Sequence, residues 1–119
     1  MLKRRVAFIY PQIGNAYAAT SYPPLGIGYL AAKLSATSAQ EIAVIDGQIM
    51  ASEEYNAAIA SLEAETILIS STLLHVGEAL RIAGAIKTRI PDTRIAMGGP
   101  AFGSVPTTEL IGMHSVDVI

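Results

Sequence analysis

The sequence predicts one α/β domain built on a doubly wound parallel sheet, and three observations carry that prediction. Short apolar, β-branched runs recur along the chain, and stretches of helical period separate them. None of the runs alternates cleanly between polar and apolar residues, as a strand with one wet face would. At 119 residues and 51% hydrophobic composition, the chain can bury roughly two thirds of its unfolded surface in a single core.

Taken in order, strands are expected over residues 6–10, 42–45, 66–70 and 94–97, with a fifth over 116–119. Between them, Ile27, Leu30, Ala31 and Leu34 share one helical face, as do Tyr55, Ala58, Ile59 and Leu62. Val76, Ala79, Leu80, Ala83, Ile86 and Ile90 form a third such face, and a weaker fourth helix is expected over 107–113. Pro23-Pro24 suits the start of the first helix, because a fixed φ and a missing N–H are tolerated in a first turn. Ser52 is placed to cap the second helix, with Glu53 and Glu54 favourably set against its dipole. Pro91 ends the third, and Asp92 opens the turn into the next strand. Gly26 and Gly28 are read as close packing of the first helix on the sheet, since the third glycine of a dinucleotide loop is missing. Right-handed crossovers place helices on both faces of such a sheet, and the flavodoxin-like strand order 2-1-3-4-5 accommodates the series.

Composition removes several function classes. A net charge of −2, from 8 basic and 10 acidic residues, offers no basic field, so no nucleic acid partner is expected. With no cysteine in the chain, disulfides, thiolate metal sites and iron–sulfur ligation within it are excluded. The basic start, Lys3-Arg4-Arg5, precedes an apolar run too short for a signal core or a membrane span. A cytoplasmic protein with no membrane partner is the expectation. A phosphate loop with its lysine, a nucleophile elbow around Ser70 or Ser71, and the acidic cluster of a phosphoacceptor receiver are all missing.

Function is expected at the carboxyl edge of the sheet, where open α/β folds bind their ligands. Three segments converge there in the proposed order: the long loop 11–22, the turn Ser71-Thr72-Leu73 after the third strand, and Gly98-Gly99-Pro100 after the fourth. A glycine pair lets a bulky ligand approach the backbone, and Ser71 and Thr72 offer hydroxyls at the start of the third helix. Alone, either feature is equally a helix cap or a turn.

Together, Ser71 and Leu73 after the third strand, a helix, and Gly98-Gly99 after the fourth resemble the cobalamin-binding domain, and the run 74–97 has nearly the length that family uses. The amino-terminal half extends the likeness. The series Tyr22-Pro23-Pro24-Leu25-Gly26-Ile27-Gly28-Tyr29-Leu30, then Val44-Ile45-Asp46, then Met97-Gly98-Gly99-Pro100 and Val116-Asp117, is similar to the amino-terminal domain of cobalamin-dependent radical S-adenosylmethionine enzymes. That likeness covers nearly the whole chain.

The resemblance implies a cofactor, cobalamin (vitamin B12), and its candidate neighbours. A slot for the nucleotide tail would involve Ser71, Thr72, Leu73, Gly98, Gly99 and Pro100, and the loop beside or beneath the corrin would bring Pro11, Gln12, Ile13, Gly14 and Asn15. Methionine-synthase-type domains carry an Asp-x-His-x-x-Gly motif after the first strand, whose histidine binds cobalt. Here that place reads Tyr10-Pro11-Gln12-Ile13-Gly14-Asn15, so no protein metal ligand is expected, as is usual in the radical family. His75 is expected as a solvated helix-start residue, and His114 is a weaker candidate still. Gly99→Val is expected to abolish binding and leave the fold intact. A radical enzyme's 4Fe-4S cluster and S-adenosylmethionine would belong to a barrel domain outside this chain. Residues 1–119 are thus expected as one domain of a longer methyltransferase, without catalytic residues of its own. Two alternatives stand beside this: a cofactor-free flavodoxin-like interaction domain, and a nucleotide-binding module using Asp46 on a ribose.

Overall fold

The computed structural model describes residues 5–13, 24–37, 40–72, 75–99 and 116–118. Its elements run β1 (Arg5–Tyr10), α1 (Leu25–Thr37), β2 (Glu41–Asp46), a short 3-10 turn (Gly47–Ile49), α2 (Ser52–Ser61), β3 (Thr66–Ser70), α3 (Val76–Arg89) and β4 (Arg94–Gly98). Among the described residues the sheet has four strands in the order β2-β1-β3-β4, all parallel.

Register assigns each strand residue to a face. Ile45, Ile9, Ile69 and Met97 pair across all four strands, and every one of them is buried beneath α2 and α3. Ala79, Ile82, Ala83 and Ile86 come down on that row from α3, and Tyr55 and Ile59 from α2. The opposite row, Val44, Phe8, Leu68 and Ala96, is covered unevenly. There α1 packs over β1 and β2 and buries Phe8, with Ile27 as its one buried residue. Val44 is left 51% exposed, and among the described residues no helix covers the β3–β4 half of that face. This asymmetry makes room for a site.

Local chemistry explains most boundaries. Pro24 accepts the Gly28 N–H and so closes the first turn of α1, and α3 stops at Arg89, before Pro91. Arg89 donates to the carbonyls of Ile59 and Leu62, tying the end of α3 to the end of α2. Thr93, 1% exposed, donates to the Ala64 carbonyl at 2.7 Å and so fastens the β3 and β4 entries together.

Four expectations are corrected. The described part of the tail, 116–118, forms no fifth strand: Val118 makes an isolated parallel bridge to Ala96. A carboxylate takes the place of a ladder carbonyl there, because Asp117 accepts the Ile95 N–H at 2.8 Å and pairs with Lys87 at 2.9 Å. The Lys87 bond, followed by the Ile95 N–H, holds the Asp117 carboxyl below its usual range. Ser52 makes no cap; the helix begins one residue earlier than expected, with Ala51 as cap residue and no side-chain bond. Leu30 is 56% exposed rather than in the core. Gly26 and Gly28 are not close contacts, since a Cβ on either would meet nothing within 4 Å. The helix expected over 107–113 lies outside the described residues. Among the described residues no helix is long and apolar enough to cross a membrane.

Candidate functional site

The open half of the α1 face continues into a cleft at the carboxyl edge of the sheet, enclosing about 530 Å³. Its floor is the alternate set of strand positions that faces α1: Phe8 and Tyr10 on β1, Leu68 and Ser70 on β3, Ala96 and Gly98 on β4. Pro24, Leu25, Gly26, Ile27 and Leu30 supply the wall from α1, while Thr72 and Gly99 close the end. The lining is mostly apolar with a few hydroxyl and backbone groups at one end, the ordinary makeup of a cofactor pocket of this volume.

The two sequence signals meet at that end. Ser71 N–H donates to the Gly98 carbonyl at 2.8 Å, extending the β3–β4 ladder one residue past the strands. Gly99 then turns with φ +112°, and a Cβ there would strike the Ser71 carbonyl and lie 2.9 Å from the Ser71 nitrogen. Only glycine suits that position, on conformational and steric grounds alike. Gly98 differs: a Cβ on it would meet no atom of the described residues within 4 Å, and its bare backbone lines the cleft. Ser71 is not a ligand-facing hydroxyl, being 0% exposed with Oγ donating to the Thr72 carbonyl at 2.8 Å. Thr72 lines the cleft, as do Ser70 and Tyr10.

The segment after β1 stands elsewhere. Pro11 is buried, and neither it nor Gln12 nor Ile13 lines the cleft. The Gln12 amide donates to the carbonyls of Gly47 at 3.0 Å and Met50 at 2.7 Å, clasping the loop to the turn after β2. Gly47 has to be glycine for this, because a Cβ would press into the Gln12 backbone, with Gln12 Cα at 2.9 Å. The Gln12 backbone also bonds the Tyr55 hydroxyl, which donates to Glu78 at 2.8 Å. Burial, then that bond, holds the Tyr55 phenol well above its usual pKa. Gly14, Asn15, Leu73 and Pro100 lie outside the described residues, as does His114. Asp46 serves locally: its carboxylate accepts the Gln48 N–H at 3.0 Å and caps the 3-10 turn.

His75 departs from its expectation. Far from solvated, it is 2% exposed and packs edge-on against Tyr10, ring centroids 4.8 Å apart. Its Nδ1 is 2.6 Å from the Thr72 hydroxyl, and its Nε2 is buried with no hydrogen-bond partner among the described residues. Leaving such a group unsatisfied costs roughly 1–3 kcal/mol. Desolvation pushes its pKa down, and burial followed by the Asp46 charge pushes the Tyr10 phenol up. Sequence reading missed Phe8, Tyr10, Leu68 and Ala96 as lining; the available signal was their alternation along strands one, three and four.

A parallel doubly wound sheet whose ligand cleft opens at its carboxyl edge, beside a glycine pair, defines the class of α/β cofactor-binding domains. Residues 11–119 match the B12 binding domain family, and the chain belongs to it. The domain binds cobalamin. No curated protein gives a match to this chain. The described residues fit the cofactor: Gly98 leaves a cradle that any Cβ would fill, and Phe8, Leu68 and Ala96 present apolar surface of the kind an aromatic tail base needs. Among the described residues no cluster of three His, Cys, Asp or Glu side chains is arranged to hold a metal ion.

Proposed function

We propose that this chain is the cobalamin-holding part of a cobalamin-dependent radical S-adenosylmethionine methyltransferase, acting in the cytoplasm and holding the cofactor without a histidine on cobalt. The observation that carries this reading is the segment after β1. Where a cobalt-binding histidine would stand, Gln12 has its amide N–H groups committed to the Gly47 and Met50 carbonyls. The described histidine, His75, is tied through Nδ1 to Thr72 in the wall behind the cleft. When bound, cobalamin supplies methyl-group transfer at its metal centre.

This chain's own residues do the holding. Phe8, Leu68 and Ala96 exclude water from the tail, the Gly98 backbone admits it closely, and Thr72 marks its polar end. Ser71 and Gly99 keep that end in shape through the β3–β4 extension. The 4Fe-4S cluster and S-adenosylmethionine belong to a partner barrel domain in this reading. The experiment is equilibrium dialysis with cob(II)alamin under anaerobic conditions, followed by the paramagnetic resonance spectrum of the retained cofactor. Saturable binding without axial nitrogen splitting is expected. Nitrogen splitting from the protein would overturn the histidine-free reading, and no retention by a folded sample would overturn the cofactor reading itself.

A further inference from the structure

The wall of the cleft contains an imidazole that holding the cofactor does not by itself require. His75 touches Thr72 and Tyr10, both of which line the cleft, without lining it itself. It stands one layer behind the ligand-facing surface. Its Nδ1 lies 2.6 Å from Thr72 Oγ1 and 3.4 Å from the Thr72 backbone nitrogen. A backbone N–H can only donate, so the ring nitrogen facing it presents a lone pair, and the proton of the neutral ring sits on Nε2. Burial favours that neutral ring.

With a lone pair at Nδ1, the short contact to Oγ1 is one in which the threonine hydroxyl donates. A hydroxyl has a single hydrogen. Once it is directed to Nδ1, Thr72 has only lone pairs to offer the cleft. The neighbouring Ser71 cannot make up the missing donor, because its own hydrogen goes to the Thr72 carbonyl.

We propose that His75 is a specificity-determining positioning residue that fixes Thr72 as a hydrogen-bond acceptor, so that the ligand group meeting Thr72 carries a hydrogen. On a cobalamin that group is a primary-amide N–H of the corrin periphery or a hydroxyl of the nucleotide tail, and not a phosphate oxygen. The inference rests on the cobalamin reading of the cleft. A phosphate oxygen placed there would oppose lone pair to lone pair, and the arrangement rejects it.

Two measurements on the full chain test this. Long-range nitrogen–proton correlation spectra of the ligand-free protein are expected to show His75 as the neutral Nε2–H tautomer; an Nδ1–H tautomer overturns the proposal whatever the chain binds. Dialysis with cobalamin, and with cobinamide, which lacks the nucleotide, then compares Thr72→Val with Thr72→Ser. The valine variant is expected to lose roughly tenfold in cobalamin affinity and the serine variant less than about twofold. A loss shared by both probes identifies the amide as donor, and a loss confined to cobalamin identifies the tail hydroxyl. Wild-type affinity in Thr72→Val overturns the proposal. In a His75→Phe background the valine penalty is expected to shrink by about threefold or more, and an undiminished penalty removes His75 from the mechanism. A wild-type chain that binds neither probe refutes the cofactor reading instead, while the nitrogen spectra still decide the hydroxyl's polarity.

Discussion

Adjacent glycines in this chain have different jobs, and substitution separates them. Gly98→Ala adds a Cβ to open cleft that meets no described atom within 4 Å, so it is expected to weaken cobalamin binding by about tenfold or more, near 1.4 kcal/mol, with an unchanged thermal midpoint. Gly99→Val forces a β-branched residue to φ +112° against the Ser71 carbonyl, and is expected to cost stability of about 1–3 kcal/mol. The clean binding defect expected of Gly99 thus belongs to Gly98; urea unfolding of both variants checks this. His75 carries a pH signature of its own. Its folded pKa lies below the ordinary 6.5, so between that lowered value and 6.5 the unfolded chain binds a proton that the folded chain refuses. Stability therefore falls as pH drops through that window, and is fully present above it. His75→Phe is expected to lose this part of the slope when unfolding midpoints are measured from about pH 7.5 down to about pH 5; parallel curves for the two proteins would contradict the buried, neutral ring.

Between elements, the loop after β1 depends on a helix pair that never touches the cleft. Tyr55 on α2 is 1% exposed, donates to Glu78 on α3 and bonds the Gln12 backbone. Glu78 is in turn held by Arg81 through both carboxylate oxygens, at 2.6 and 2.8 Å. Removing one hydroxyl therefore loosens three segments. Tyr55→Phe is expected to cost roughly 1–3 kcal/mol, since the Gln12 backbone and the Glu78 carboxylate both lose a partner, and chemical denaturation at neutral pH measures it. A cost within experimental error would mean that water substitutes for the phenol and that the loop is set by Gln12's own amide bonds.

On the scale of the whole molecule, binding of cobalamin to the folded state alone stabilises it by mass action. At a free concentration one hundred times the dissociation constant, the gain is about 2.7 kcal/mol, a rise in midpoint on the order of 10 °C for a domain of this size. Calorimetry with and without cobalamin is the check, and an unmoved midpoint would speak against binding by the isolated chain. Strand order and the pairing of β3 with β4 were legible in the sequence because apolar runs, helical periods and proline stops all agree. That agreement brought Ser71, Thr72, Gly98 and Gly99 together correctly. What sequence pattern could not carry was side-chain commitment. The pattern shows a serine, a glutamine and a histidine near an edge, but only geometry shows that Ser71 spends its hydrogen on the Thr72 carbonyl, Gln12 its amide on the β2 turn, and His75 its lone pair on Thr72. Nor could helical period tell that Leu30 would stand at a half-covered face, since coverage depends on where α1 comes to rest over the sheet.

The way α1 begins has a dynamic consequence. Its first turns hold Gly26 and Gly28, where a Cβ would meet nothing within 4 Å among the described residues, and Leu25, Tyr29 and Leu30, which are mostly exposed. Ile27 is the one buried residue of that half, with Ala31 partly buried against the same cluster. Each glycine in a helix costs about 1 kcal/mol relative to alanine, so the amino half of α1 opens locally at far lower free energy than the core. Its amides should exchange with solvent deuterium orders of magnitude faster than those of α3, whose inner face is sealed by Ala79, Ile82, Ala83 and Ile86. Because those same turns wall the cleft, a cofactor lodged there closes them, and slowed exchange over residues 27–31 would record its arrival. Equal exchange with and without cobalamin would place the cofactor away from α1.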